Sequence, residues 1–349
     1  MNALSILVRA AETTAEAASE TAAEAAATVY PTAFTDLKVP MINMIFMGVA
    51  GVLILAALIL GVYFLLDRTE NWGLGLLAGL AAYMLFDHFL ILGVQFLLGW
   101  IPFTRDYVEA HPTQISVFML LLSAGLTCLG IFLAMKYAQS QQMKRGMPLS
   151  IGLPIAVGIG TLIGLVLVNH LIQLHFSYIM MSYSVNANGF DVTAAPYIEN
   201  LINQGTPREE AVESIAESLS FLGTSPFILF ILDALYYIML TLLHVCAAVL
   251  IYAEQQDLIE RKWVFVGYGG MMLTTIPGIL NTFTTLPNWV GSLAVMLISA
   301  AVAVITYRLA KENMPEDLKS LTYSHRRHNR RRKDDDKPKK MPHIVMPDK

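Results

Sequence analysis

Residues 42–66 read INMIFMGVAGVLILAALILGVYFLL, a run with no charged side chain. A helix rises about 1.5 Å per residue, so about 20 apolar residues cross a hydrocarbon core of about 30 Å. This stretch is long enough to span a membrane, and it has company. No Lys, Arg, Asp or Glu occurs in 41–66, 110–135, 146–190 or 263–307. Charged residues make up 14% of the chain, against about 25% in a soluble domain, and mean hydropathy is +0.55. A soluble enzyme, a secreted disulfide scaffold and a nucleic-acid-binding domain are all excluded. The predicted fold class is all-α, a polytopic membrane helix bundle with about seven transmembrane helices.

The expected spans cover about 42–66, 73–101, 114–137, 149–181, 226–252, 263–284 and 288–307. Pro277-Gly278 should kink the sixth, and Leu286-Pro287-Asn288 turns it into the seventh. The uncharged stretch 146–190 has room for two spans, and charge chooses one. With one span there, the N-terminus lies outside and the C-terminus inside. The inner segments then collect Arg68, Lys136, Lys144, Arg145, Arg261, Lys262 and the 13 basic residues of 308–349. Only Arg9, Lys38, Arg105 and Arg208 remain outside, as the positive-inside rule requires. The expectation is a multi-pass protein of the cell membrane with a cytoplasmic C-terminus.

Three segments lie outside the spans. Residues 1–40 form an Ala/Glu-rich outer tail in which Glu12, Glu16, Glu20 and Glu24 share one helical face. Residues 184–224 form an external cap, with a helix start at Thr206-Pro207 and acidic residues in its first turn. Leu201, Ile202, Ala211, Ile215 and Leu219 are expected to rest on the membrane surface. The inner tail, 308–349, carries Arg326-Arg327, Arg330-Arg331-Arg332 and Lys333, a pattern that anchors on anionic lipid headgroups. It lacks the interleaved aromatics of a nucleic-acid binder. The bilayer is the one partner the sequence names; a protein partner and the oligomeric state stay open.

Polar groups within a span are costly and face the bundle interior or a cavity. Asp87 and His88 sit mid-way along the second span, and Asn169, His170 and Gln173 in the fourth. Asp233, Tyr237, Thr241 and His244 form a stripe about three turns tall on the fifth. These nine residues are the candidate intramembrane polar core. Asp87 and His88 are adjacent and must diverge. His170 and His175 are five apart, not the i,i+4 pair of a helical metal site. Cys128 and Cys246 lie in apolar runs, as buried thiols do. No Walker, HExxH or GxSxG motif is present. No metal site is expected, and the sequence names neither a cofactor nor a catalytic residue. Gly160 and Gly164 have the small-xxx-small spacing of close helix packing.

Leu232-Asp233-Ala234-Leu235-Tyr236 through His244-Val245-Cys246-Ala247-Ala248, together with Gly75-Leu76-Leu77-Ala78-Gly79 and the closing hairpin with Pro277, Asn288 and Trp289, resembles YhfC-type membrane proteins over about 75–307. That family is counted among glutamate-dependent intramembrane proteases, so the resemblance implies water activation inside the bilayer by a carboxylate with histidine. The family's paired glutamates follow an Ala-Gly-hydrophobic sequence; here Ala124-Gly125-Leu126 is followed by Thr127-Cys128. Its Gly-His-Gly element is replaced by Gly158-Ile159-Gly160. The resemblance therefore implies a divergent, non-proteolytic member that binds a membrane partner or ligand. Two alternatives stand beside it. One is a small-molecule or ion transporter with a cavity lined by Asp87, His170, Asp233 and His244. The other is an intramembrane hydrolase using Asp87 and His88 with His170 or His244.

Overall fold

The run at 42–66 forms the body of α1, Met41–Arg68, in a computed structural model that describes residues 38–69, 72–146, 150–165, 177–203, 206–284 and 286–321. Every regular element among these residues is helical. Next come α2 (Trp72–Trp100), α3 (Pro102–Ala110), α4 (Pro112–Lys144) and α5 (Gly152–Leu165). The helices α6 (Ser177–Asn188), α7 (Phe190–Asn203) and α8 (Arg208–Thr224) follow. The chain continues through α9 (Ile228–Gln255), α10 (Lys262–Phe283), α11 (Asn288–Asn313) and α12 (Pro315–Ser320).

Six of these, α1, α2, α4, α9, α10 and α11, are long and apolar enough to cross a membrane. Of the seven expected spans, the fourth, 149–181, is described only in part: α5 covers Gly152–Leu165, and residues 166–176 lie outside the described residues. From Ser177 the chain already belongs to a group of helices, α6–α8, gathered at one end of the bundle, the cap end; α12 marks the opposite, tail end. Both tails, 1–37 and 322–349, also lie outside the described residues.

Two apolar cores stack along the bundle. At the cap end, Met47, Ala50 and Ile54 of α1 pack with Phe190, Ile198, Leu201, Ala211, Ile215 and Leu219 of the cap and Phe230 and Ala234 of α9. Leu201, Ala211, Ile215 and Leu219 are at most 4% exposed, and Ile202 packs partly buried beside them. This corrects the expectation that they rest on the membrane. Their helical spacing is that of any amphipathic helix; a protein core claimed the apolar face that lipid was expected to cover. Asn186 clamps the cap to α1: Val39 N–H donates to its Oδ1 at 2.9 Å and its Nδ2 donates to Val39 O at 2.8 Å. Asn43 Nδ2 donates to Leu222 O (2.9 Å) and Ser225 O (3.0 Å). The start of α8 is capped by Pro207, with no side-chain bond from Thr206.

The second core surrounds α9, whose buried residues run almost unbroken from Leu243 to Ala253. A helix apolar on all sides belongs at the centre of a bundle, and α9 packs on α1, α5, α10 and α11. Helix α2 packs extensively on α5. Lipid tails are as apolar as leucine, so spans associate through close packing, which small residues allow. A Cβ at Gly79 would overlap the Val157 carbonyl oxygen, and one at Gly160 the Leu76 carbonyl oxygen. The ring of Tyr83 lies over Gly164. Thus the Gly160–Gly164 pair read from sequence does pack, against Leu76 and Tyr83 of α2, while Gly75 and Gly79 of α2 close on Leu153 and Val157 of α5.

Two spans depart from regular α geometry. In α10 a 3₁₀ turn at Leu273–Thr275 precedes Pro277. Thr274 and Thr275 hydroxyls donate to Met271 O (2.6 Å) and Met272 O (2.8 Å) where the helix tightens. Gly291 of α11 closes on the Pro277 backbone, forming the expected hairpin. In α2 a π-helical segment covers Tyr83–Phe89. The packing of Tyr83 on Gly164 and of Phe86 on Gly130 brackets it from two neighbouring helices.

Candidate intramembrane polar site

The π-helical segment contains Asp87 and His88, and single π turns inside α-helices recur at functional sites. Asp87 turns to α4. Ser123 Oγ donates to Asp87 Oδ1 at 2.5 Å, the short distance of a charge-assisted O–H···O bond. Thr127 Oγ1 lies 3.0 Å from the same Oδ1 and 2.9 Å from Ser123 O. Thr127 has one hydroxyl proton for these two acceptors. With Asp87 ionised, that proton turns to the carboxylate. With Asp87 protonated, Thr127 keeps the Ser123 carbonyl. A proton on Oδ1 can then be donated to Thr127 Oγ1, so rotating one hydroxyl serves either state of the carboxyl.

His244 of α9 completes the site. Its Nδ1 is 2.8 Å from Leu240 O. That geometry makes Nδ1–H the donor and leaves Nε2 as an acceptor, an assignment made from the bond it completes. The ring is buried, at 6% exposure, and Asp87 is within electrostatic reach of it. The Asp87 carboxylate, with the Ser123 and Thr127 hydroxyls on its Oδ1, and the buried His244 ring are thus within electrostatic reach of one another. Among the described residues no three His, Cys, Asp or Glu side chains gather where a metal ion could sit.

The remaining sequence candidates divide. His88, adjacent to Asp87, is half-exposed, with its ring 5.4 Å from that of Phe89 and edge-on at 70°. On α9, Thr241 Oγ1 donates to Tyr237 O at 2.8 Å. Asp233 lies within electrostatic reach of Tyr178, Tyr236 and Tyr237, and the Tyr236 and Tyr237 rings meet edge-on at 5.1 Å. The stripe on α9 thus serves two surroundings, His244 toward Asp87 and Asp233 toward a tyrosine group near the cap. Asn169, His170 and Gln173 lie outside the described residues.

Tyr237 and Thr241 also border a cavity of about 270 Å³ between α1, α5 and α9. Its other walls are carbon: Ile54, Leu58, Gly61, Ile159 and Val245 among them. None of Asp87, Asp233 and His244 lines it, so it is not the polar cavity that the transporter alternative anticipated.

Ser123 went unnoticed in the sequence. The available signal was an i,i+4 hydroxyl pair, Ser123 and Thr127, in a charge-free span, but such pairs usually bond their own backbone. No family model, curated protein or solved structure matches this chain.

Proposed function

We propose that this multi-pass membrane protein is a proton-coupled transporter of a small apolar or amphipathic molecule, with Asp87 as the proton-binding group. The observation that carries the reading is the Asp87 carboxylate, held mid-span by Ser123 and Thr127 in a pocket that can serve it charged or neutral. An ionisable group inside a span is costly and marks an ion or substrate pathway. The carbon-lined cavity supplies a place for the transported molecule, and α9 joins the two: Tyr237 and Thr241 border the cavity while His244, one turn further, is within electrostatic reach of Asp87. Protonation at Asp87 would shift α9 and change the cavity. The positive-inside bias places the tail end in the cytoplasm, with the basic segment 326–333 held by anionic headgroups.

The test is a pH jump applied to proteoliposomes on a solid-supported membrane. Wild-type protein should give a transient charge movement, and Asp87→Asn should abolish it while His88→Ala keeps it. Equal charge movement in Asp87→Asn refutes the proposal. A parallel sodium jump separates a proton site from a sodium site.

A second reading has one observation in its favour. Thr127, which stands where the YhfC-type resemblance places a glutamate, is hydrogen-bonded into this same centre. Under that reading the site binds a membrane-embedded peptide without cutting it. Thr127→Glu would then restore a carboxylate beside Asp87, and cleavage of a transmembrane peptide reporter by that variant alone would favour it.

A further inference from the structure

At the tail end of α4, two buried carboxamides carry polar atoms with nothing to bond. Gln142 is 0% exposed, and neither its Nε2 nor its Oε1 has a partner; Gln139 is 6% exposed with Nε2 unpartnered. The Oε1 of Gln255, at the last residue of α9, is buried and unpartnered at the same end of the bundle. Buried polar atoms in native proteins are satisfied almost without exception, by protein or by ordered water. A helix that needed only to fill this space would carry leucine or methionine there. Internal water with two to four polar partners is the usual resolution of such a group.

Gln142 also continues the line of the proposed proton site. Around α4, Ala134 and Ala138 lie within about 20° of Thr127, and Gln142 within about 60°. Thr127 and Gln142 are separated by about 22 Å along the axis. Between them Ile131, Met135 and Ala138 are fully buried. The face therefore reads, from mid-membrane to the tail end, as a polar site, a dry apolar segment and a second polar site. Alanines keep the middle narrow, and Met135 is unbranched and able to change rotamer easily.

We infer that Gln139 and Gln142 hold a cluster of internal waters that forms the tail-end half of the proton route to Asp87, with Ile131 and Met135 as its dry seal. The proton moves along the waters as far as the seal, crosses it when Met135 changes rotamer and water enters, and binds the Asp87 carboxylate; no bond to carbon is made or broken. The link to Asp87 rests on the transporter reading; the hydrated site itself does not.

The experiment uses the full chain in proteoliposomes, with Cys128→Ala and Cys246→Ala removing the native thiols. A charged methanethiosulfonate reacts only with a thiol that water reaches. Gln142→Cys should be modified by reagent applied at the tail side, and Met135→Cys should stay unmodified. Gln139→Cys serves the same purpose if Gln142→Cys does not assemble. Glutamine positions as inert as Met135→Cys overturn the hydrated site. On the native background, Gln139→Leu with Gln142→Leu should slow the charge movement after a pH jump at least several-fold. An unchanged rate overturns the route. If labelling succeeds but Asp87→Asn moves as much charge as wild type, the transporter reading falls and the hydrated site stands. If labelling fails but Asp87→Asn is silent, the reverse holds.

Discussion

Replacing Gly79 with alanine adds one methyl group where α2 meets the backbone of α5. The new Cβ would overlap the Val157 carbonyl oxygen and lie 2.8 Å from Thr161 N and 2.9 Å from Val157 C. All three are backbone atoms of α5, so no side chain can turn aside. Restoring ordinary contact requires α2 and α5 to separate by about 1 Å, and a gap of that size forfeits a quarter to a half of each dispersion well along the seam. Overpacking of this kind costs about 1–3 kcal/mol. The helix-propensity gain of alanine over glycine, about 1 kcal/mol, works the other way. Gly93 on the same helix is the control, because a Cβ there meets nothing within 4 Å. In detergent, a thiol-reactive dye reads unfolding through the buried Cys128 and Cys246. Gly79→Ala should lower the melting temperature by several degrees, at about 2–4 °C per kcal/mol, while Gly93→Ala should hold or raise it. Because Asp87 is two turns beyond Gly79, the separation should also weaken its bonds to Ser123 and Thr127, and the pH-jump signal should fall. Equal melting temperatures for the two variants would refute the claim that α2 and α5 are held by backbone approach.

Asn43→Ala leaves the Leu222 and Ser225 carbonyls without their donor, at about 1–3 kcal/mol for each buried group. Cap proteolysis in micelles should quicken, and an unchanged rate argues against the clamp. Ser123→Ala removes the closest donor to Asp87; charge movement should shift along the pH axis without vanishing, and a curve superimposable on wild type would count against the bond. At the tail end, burial holds the Asp317 carboxyl above its usual range. The docked state of α12 then binds more protons than the undocked state, so docking is strongest below the ordinary carboxylate range and weakens as pH rises through it. Hydrogen exchange at Leu318–Leu321, corrected for intrinsic rates, should quicken with pH in wild type and lose that dependence in Asp317→Asn. A flat wild-type profile would refute it.

The sequence could be read for spans because lipid imposes a simple rule: uncharged length. The runs at 42–66, 114–137 and 288–307 became α1, α4 and α11 with small shifts at their ends. The kink at Pro277 was equally local, since a missing N–H acts where it stands. The fourth span was less legible. Uncharged residues from 146 to 190 satisfy the length rule whether the chain crosses once, stops early or joins a cap, and α5 is described only from Gly152 to Leu165. Leu201, Ile215 and Leu219 show the same ambiguity, because an apolar face announces burial without naming what buries it.

Asp87 marks the division most clearly. By itself the sequence determined that this carboxylate lies mid-span, where the cost of burial demands partners. Which partners were chosen depended on tertiary structure. The π-helical segment of α2 rotates Asp87 toward α4, and glycines 79, 160 and 164 bring α5 close enough to hold that segment in place. Ser123 and His244 are 36 and 157 residues from Asp87 in the chain; no local spacing rule connects them. Helix periodicity fixes which side chains share a face, but the rotation and depth of one span against another are set by shape at contact, and only the folded bundle supplies that.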